Sequence, residues 1–221
     1  MNKIPFDPYD FFGYLASGLL IIVGMDLVLG FPHVLGQDFK IIESALLIIA
    51  IYVVGQIIAT PAKALLEGLL VGKVLGRPSI NLFREKKPCI RGFIFPGFYQ
   101  ILPKQARKKI LAKARRNGIT ERGEELFLHA RYSRAVLRDQ ELMEKLTSFL
   151  NKYGFNRNLC FSALIVGIAI LIKVWLFPEN SAELTKYAII AIAAAILLFY
   201  RYLKFFRQYS YELFNTYAGI K

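Results

Sequence analysis

The chain has 221 residues, 55% of them hydrophobic, with a mean hydropathy of +0.41 and a formal net charge of +13. A small soluble globule cannot hide that much apolar surface, so an ordinary soluble domain is excluded. The charge is concentrated: residues 61–158 hold 21 Lys/Arg against 8 Asp/Glu, and the rest of the chain is close to neutral.

Four runs are long and apolar enough to carry a helix across the roughly 30 Å hydrocarbon core: residues 12–35, 41–60, 159–177 and 184–200. One lysine precedes the first run and no small-residue cleavage site follows it, which predicts a retained helix instead of a signal peptide. Gly30, Pro32 and Gly36 mark the first hairpin turn, and Pro178 and Asn180 the second. The outer loops hold little more than Lys40 and Lys186, so the lysine and arginine bias puts both termini and the middle segment in the cytoplasm of an inner-membrane protein. Aromatic residues agree: Phe6, Tyr9, Phe11 and Tyr14 flank the inner end of the first span, Trp175 and Phe177 the outer end of the third, and Tyr200 and Tyr202 the inner end of the fourth.

The predicted fold is all-α and polytopic. It comprises a first hairpin (1–60), a basic helical cytoplasmic segment (61–158), a second hairpin (159–200) and an amphipathic extension of the last helix (201–221). Helices in lipid associate through small residues that let backbones approach, and Gly55/Ala59, Ala163/Gly167 and Ala191/Ala195 have that spacing. The intramembrane polar groups Asp26, Gln56 and Lys173 are expected to face other helices or a lumen, because a carboxylate facing lipid costs several kcal/mol; Glu43 lies near an outer end.

After Pro61, the glycines Gly68, Gly72 and Gly76 recur on one helical face and call for close packing, within the subunit or between protomers. The aromatic stretch 93–102 contains Pro96 and Gly97, is too short to span, and is expected at the membrane surface. Pro103 opens a helix closed by Asn117 and Gly118. Ala106, Ile110, Leu111 and Ala114 share one side of it, and Lys104, Lys108, Lys109, Lys113, Arg115 and Arg116 cover the other. Such a basic amphipathic helix suits anionic lipid headgroups, with nucleic acid as the alternative partner.

From residue 121 to 153 a helical stripe runs through Leu128, Ala135, Leu142 and Phe149, with Tyr132, Leu146 and Tyr153 beside it; Asp139 interrupts it. The fourth span continues into a stripe of Phe199, Tyr202, Phe206, Tyr209, Leu213 and Tyr217, for which the 121–153 helix is the expected partner.

Chemistry is sparse. No phosphate-binding loop, zincin helix or nucleophile elbow occurs. Cys89 and Cys160 have no metal-ligand spacing and read as free thiols. His33 and His129 are expected on opposite sides of the membrane, and Glu124/Glu125 read as a solvated helix face. Neither an enzyme nor a cofactor is expected.

The sequence therefore points to a small homo-oligomeric inner-membrane protein whose basic domain answers to an anionic ligand or protein partner and whose helices form a pore or perturb the bilayer. A non-conducting scaffold for a cytoplasmic partner and a small transporter are the alternatives. In architecture alone the chain loosely resembles compact membrane effectors of bacterial defence systems; no motif carries that resemblance and it assigns no residue a role.

Overall fold

The computed structural model describes residues 8–30, 39–120, 123–138, 140–178 and 181–219. Every regular element among them is helical. In chain order these are α1 (Pro8–Leu29), α2 (Ile41–Ala62), a π-helix (Lys63–Leu75), α3 (Pro78–Asn81), α4 (Cys89–Ile94), α5 (Lys104–Arg116), α6 (Glu124–Arg131), α7 (Arg134–Leu137), α8 (Gln140–Leu176) and α9 (Ser181–Ala218). Four helical runs are long and apolar enough to cross a membrane: Phe11–Leu29, Ile41–Asn81, Gln140–Leu176 and Ala182–Ala218. The first hairpin turn at 31–38 with His33, as well as Asp139 and Asn180, lies outside the described residues.

Helix bounds differ from the sequence reading in ways that have physical causes. α1 ends at Leu29 instead of reaching 35 because Gly30 takes the left-handed conformation at φ +74°. Pro61 does not stop α2. It has no N–H for the Ile57 carbonyl and its ring crowds that oxygen; two residues later the ladder widens from i→i+4 to i→i+5 and continues for 13 residues. The third apolar run is the C-terminal part of a longer helix, since α8 starts at Gln140 and passes unbroken through Gly154.

The chain divides into two compact units. The first, Met1–Gly68 with Gly154–Tyr202, contains the four apolar stretches read from the sequence and packs through glycines. A Cβ on Gly18 of α1 would lie 1.8 Å from the Ile51 carbonyl oxygen of α2, and one on Gly55 of α2 would lie 1.9 Å from the Tyr14 oxygen of α1. The two backbones touch there, and Tyr52 closes the contact against Phe11 and Tyr14 at ring separations of 5.4 and 5.8 Å. Gly24 seats the Val166 side chain of α8, and Gly167 of α8 faces Ala191 and Ile192 of α9. Val166, Ile170 and Ala188 form the buried centre, with Leu20, Ile21 and Leu27 of α1 against it.

The second unit, Leu69–Tyr153 with Leu203–Lys221, holds 22 Lys/Arg and 8 Asp/Glu. Its core joins Leu82 and Phe83, Leu102, the apolar side of α5, Leu126 and Ala130 of α6, Val136, Leu142 and Leu146 of α8, and Tyr209, Leu213, Phe214 and Tyr217 of α9. Phe214 meets Phe83 edge-on at 5.0 Å, and Tyr153 stacks on Phe206 at 5.0 Å. The aromatic end of α9 is thus partnered as expected by α6 and α8, but also by α5 and the segment around Phe83.

The 121–153 stripe requires correction. Instead of one helix, this segment contains α6, α7 and the start of α8, with Gly123 at φ +106° and a turn at Tyr132–Ser133. The Ser133 hydroxyl donates to the Ala130 oxygen at 2.8 Å, while the Ser133 carbonyl accepts from the Val136 and Leu137 amides. Each break resets the helical phase, so Leu128 and Tyr132 are 47% and 66% exposed while Leu126 and Ala130 are buried.

Candidate functional site

α5 is the most strongly charged element of the second unit. Ala106, Ile110 and Ala114 recur on one side of it and are buried in the core. Its amphipathic pattern is therefore satisfied within the protein, and the apolar side is not available to immerse in a bilayer. Lys104, Lys108, Lys109, Arg115 and Arg116 are exposed on the other side, with no hydrogen-bond or ion-pair partner among the described residues.

Lys113, read with them in the sequence, has a different role. Its Nζ donates to the Tyr217 carbonyl at 2.5 Å and sits 5.0 Å over the Tyr217 ring, so it caps the last turn of α9. Asn117 adds a bond from Nδ2 to the Tyr217 hydroxyl at 3.1 Å and lies 3.3 Å from His129 Nε2. The far end of the unit's charge is also internally paired, through Arg77–Glu124 and through Lys145–Glu212 at 3.1 Å.

Among the polar groups of the long apolar helices, Asp26 is half-buried in α1, and Lys173 of α8 donates to the neighbouring Leu27 carbonyl at 2.8 Å. A cation at the α1 C-terminus meets both an orphan carbonyl and the negative end of the helix dipole. Gln56 is apart from this pair: it is exposed on α2 and donates to the Tyr52 hydroxyl one turn earlier at 2.9 Å. Glu43 accepts from the Lys40 amide at 2.9 Å and caps α2.

The small residues are used unequally. Gly55, Ala163 and Gly167 lie in helix contacts, and Ala195 accepts the Cys160 thiol at 3.2 Å through its carbonyl. Ala59 is half-buried in α2. A Cβ on Gly68 would meet only the Lys63 oxygen of its own helix, and Gly72 is half-buried in the π-helix. Gly76, at φ +80°, terminates the π-helix, and a Cβ there would lie 3.1 Å from Asn81 Oδ1.

Two arrangements escaped the sequence reading. Arg157 donates from Nη1 to Glu67 Oε2 at 2.7 Å and from Nε and Nη2 to Asn158 at 3.2 and 3.1 Å, with side-chain exposures of 11% for Arg157 and 23% for Glu67. Residues 90 apart in the chain form this partly buried pair. The other is the end of the π-helix, where Arg91 donates to the Val74 carbonyl, Tyr99 to Leu75 at 2.8 Å and Asn81 to Gly76 at 2.7 Å. Burial raises the Tyr99 pKa above its ordinary value, against the opposing pull of Arg91 and Arg84.

No protein-family model matches this chain, and neither the curated proteins nor the solved structures contain a match to it.

Proposed function

We propose that the protein is a multi-pass inner-membrane protein, with both termini and the basic unit cytoplasmic, whose role is to hold that unit on anionic lipid headgroups. The proposed role is binding and anchoring, not catalysis. The carrying observation is the α5 face: five exposed cations whose side chains have no partner among the described residues, on a helix whose apolar side is spent on the core. Each Lys or Arg near an anionic surface contributes about 1 kcal/mol, and the sum weakens as salt screens it. Contact would be electrostatic and peripheral, without insertion of α5.

A pore draws less support. A Lys173 spent on the Leu27 carbonyl and a Gln56 bonded to Tyr52 suit structural roles better than a cation-selective lumen.

The test is lysine acylation of the full chain in lipid nanodiscs, read residue by residue by mass spectrometry. Lys104, Lys108 and Lys109 should react several-fold more slowly in phosphatidylglycerol-containing discs than in zwitterionic ones, with high salt restoring the rate. Lys113, engaged with Tyr217, serves as the internal reference. Equal rates in the two lipids, or protection by an RNA duplex but not by lipid, would overturn the proposal.

A further inference from the structure

The exposed apolar residues of the second unit include a group on α4. Ile90 is 75% exposed and Phe93 87%, with Ile94 beside them. Positions i, i+3 and i+4 share one side of a helix. The opposite side is tied down: Arg91 donates to the Val74 carbonyl, and the following Phe98 and Tyr99 are buried, with Tyr99 bonded to Leu75. Pro88 and Pro96 bound the helix. α4 is therefore a short, braced element that presents two large apolar side chains outward, not a loose loop.

The charges around it identify what it meets. Lys86 and Lys87 are exposed immediately before α4, Arg91 lies within it, and Glu85 is the one acid in the stretch 84–94. An apolar tip with the exposed cations Lys86 and Lys87 at its base complements a headgroup layer, where hydrocarbon begins below a plane of phosphates. Three side chains offer far less than the roughly 800 Å² per partner of a stable protein interface, which argues against a second protein. The brace also ends on the π-helix, which continues without a break from the apolar run of α2.

We infer that α4 is a membrane-contact tip, seating Ile90 and Phe93 in the interfacial layer of the bilayer while Lys86 and Lys87 meet lipid phosphates. The inference rests on the bilayer setting proposed above, but it uses a different element and a different force. Of the sequence-predicted surface stretch 93–102, only its beginning takes this role; Phe98, Tyr99 and Leu102 belong to the interior.

Cys89 supplies the probe, because it is exposed at the start of α4 while Cys160 is buried. The full chain is labelled there with an environment-sensitive fluorophore, reconstituted in nanodiscs, and challenged with aqueous iodide and with lipids carrying a headgroup-level nitroxide; a labelled Cys89→Ser sample gives the background. The expected result is strong nitroxide quenching, weak iodide quenching and a blue-shifted emission. The double variant Ile90→Ser/Phe93→Ser should reverse the pattern. The wild-type signal should persist in zwitterionic discs, where α5 protection would be lost, so failure of the two proposals can be told apart. Iodide quenching without nitroxide quenching would overturn the inference. Shielding from both quenchers would also overturn it, by showing that protein covers α4. Should the double variant not fold, the wild-type quenching pattern decides alone.

Discussion

The contact between α1 and α2 gives the sharpest quantitative prediction, because two glycines, one from each helix, are the reason it exists. A Cβ on Gly18 or Gly55 would stop 1.8 or 1.9 Å from a backbone oxygen of the facing helix, whereas ordinary contact begins at 3.4 Å. A carbonyl cannot swing aside as a side chain can, so Gly18→Ala or Gly55→Ala must open the crossing by about 1.5 Å. A gap of about 0.5–1 Å already forfeits a quarter to a half of each dispersion contact, so most of the close packing at the crossing is lost. Overpacking of this kind costs about 1–3 kcal/mol, partly offset by up to about 1 kcal/mol of helix propensity gained on replacing glycine by alanine. We expect a net loss of about 1–2 kcal/mol for either variant, and less than the sum for the double variant, since both act on one crossing. Reversible unfolding in mixed micelles measures it. Gly154→Ala is the control: nothing lies within 4 Å of its added Cβ, so it should be neutral or stabilising. If Gly18→Ala and Gly55→Ala both unfold like the wild type to within about 0.5 kcal/mol, the backbone contact is not as described.

Other outcomes follow from the same geometry. Glu67→Leu takes the carboxylate from a partly buried Arg157 that keeps its bonds to Asn158 and should destabilise by about 1–3 kcal/mol, while Glu67→Leu with Arg157→Met should recover part of that loss in the same unfolding assay. Lys113→Ala should cost about 1–2 kcal/mol through the Tyr217 cap and ring contact, whereas Lys108→Ala should leave stability unchanged. Because burial raises the Tyr99 pKa, its ionisation is harder in the folded state. Its contribution is complete below the unfolded value near 10 and declines as pH rises through the higher folded value; alkaline unfolding of wild type against Tyr99→Phe should reveal this slope. Reporter fusions after Asn117 and after Lys221 should both report cytoplasm, and one near Gly36 the outside; a periplasmic report after Asn117 would reverse the proposed topology.

The sequence made some of this structure legible and hid the rest for identifiable reasons. Ala106, Ile110 and Ala114 stand on one helical face, and a period of that kind shows a buried side regardless of what covers it, so α5 and the aromatic end of α9 could be read. What covers it could not be read: the apolar side of α5 looks the same whether it meets lipid or Phe214. The reach of α8 past Gly154 was hidden because Asn156, Arg157 and Asn158 resemble a polar boundary until Glu67 is placed against them. Gly18 and Gly24 carried no small-residue spacing to flag them, because their complements, Ile51 and Val166, lie on other helices. In the candidate site the cations were visible as a group, but Lys113 could be separated from the other five only by the position of Tyr217.

The composition of the second unit's core has a consequence for synthesis. Tyr209, Leu213, Phe214 and Tyr217 complete a core that otherwise ends at Leu146, and the apolar stretches of α8 and α9 are translated in between. About 70 residues separate Leu146 from Tyr217 in the chain, which at 5–20 residues per second is a delay of roughly 4–14 s. Over that interval Leu82, Ile110 and Leu126 lack the α9 side chains that complete their core, and the nascent middle segment exposes apolar surface. Closure of the basic unit therefore waits until the last apolar helix has been made, and a chain stopped before residue 209 lacks the side chains that complete this core.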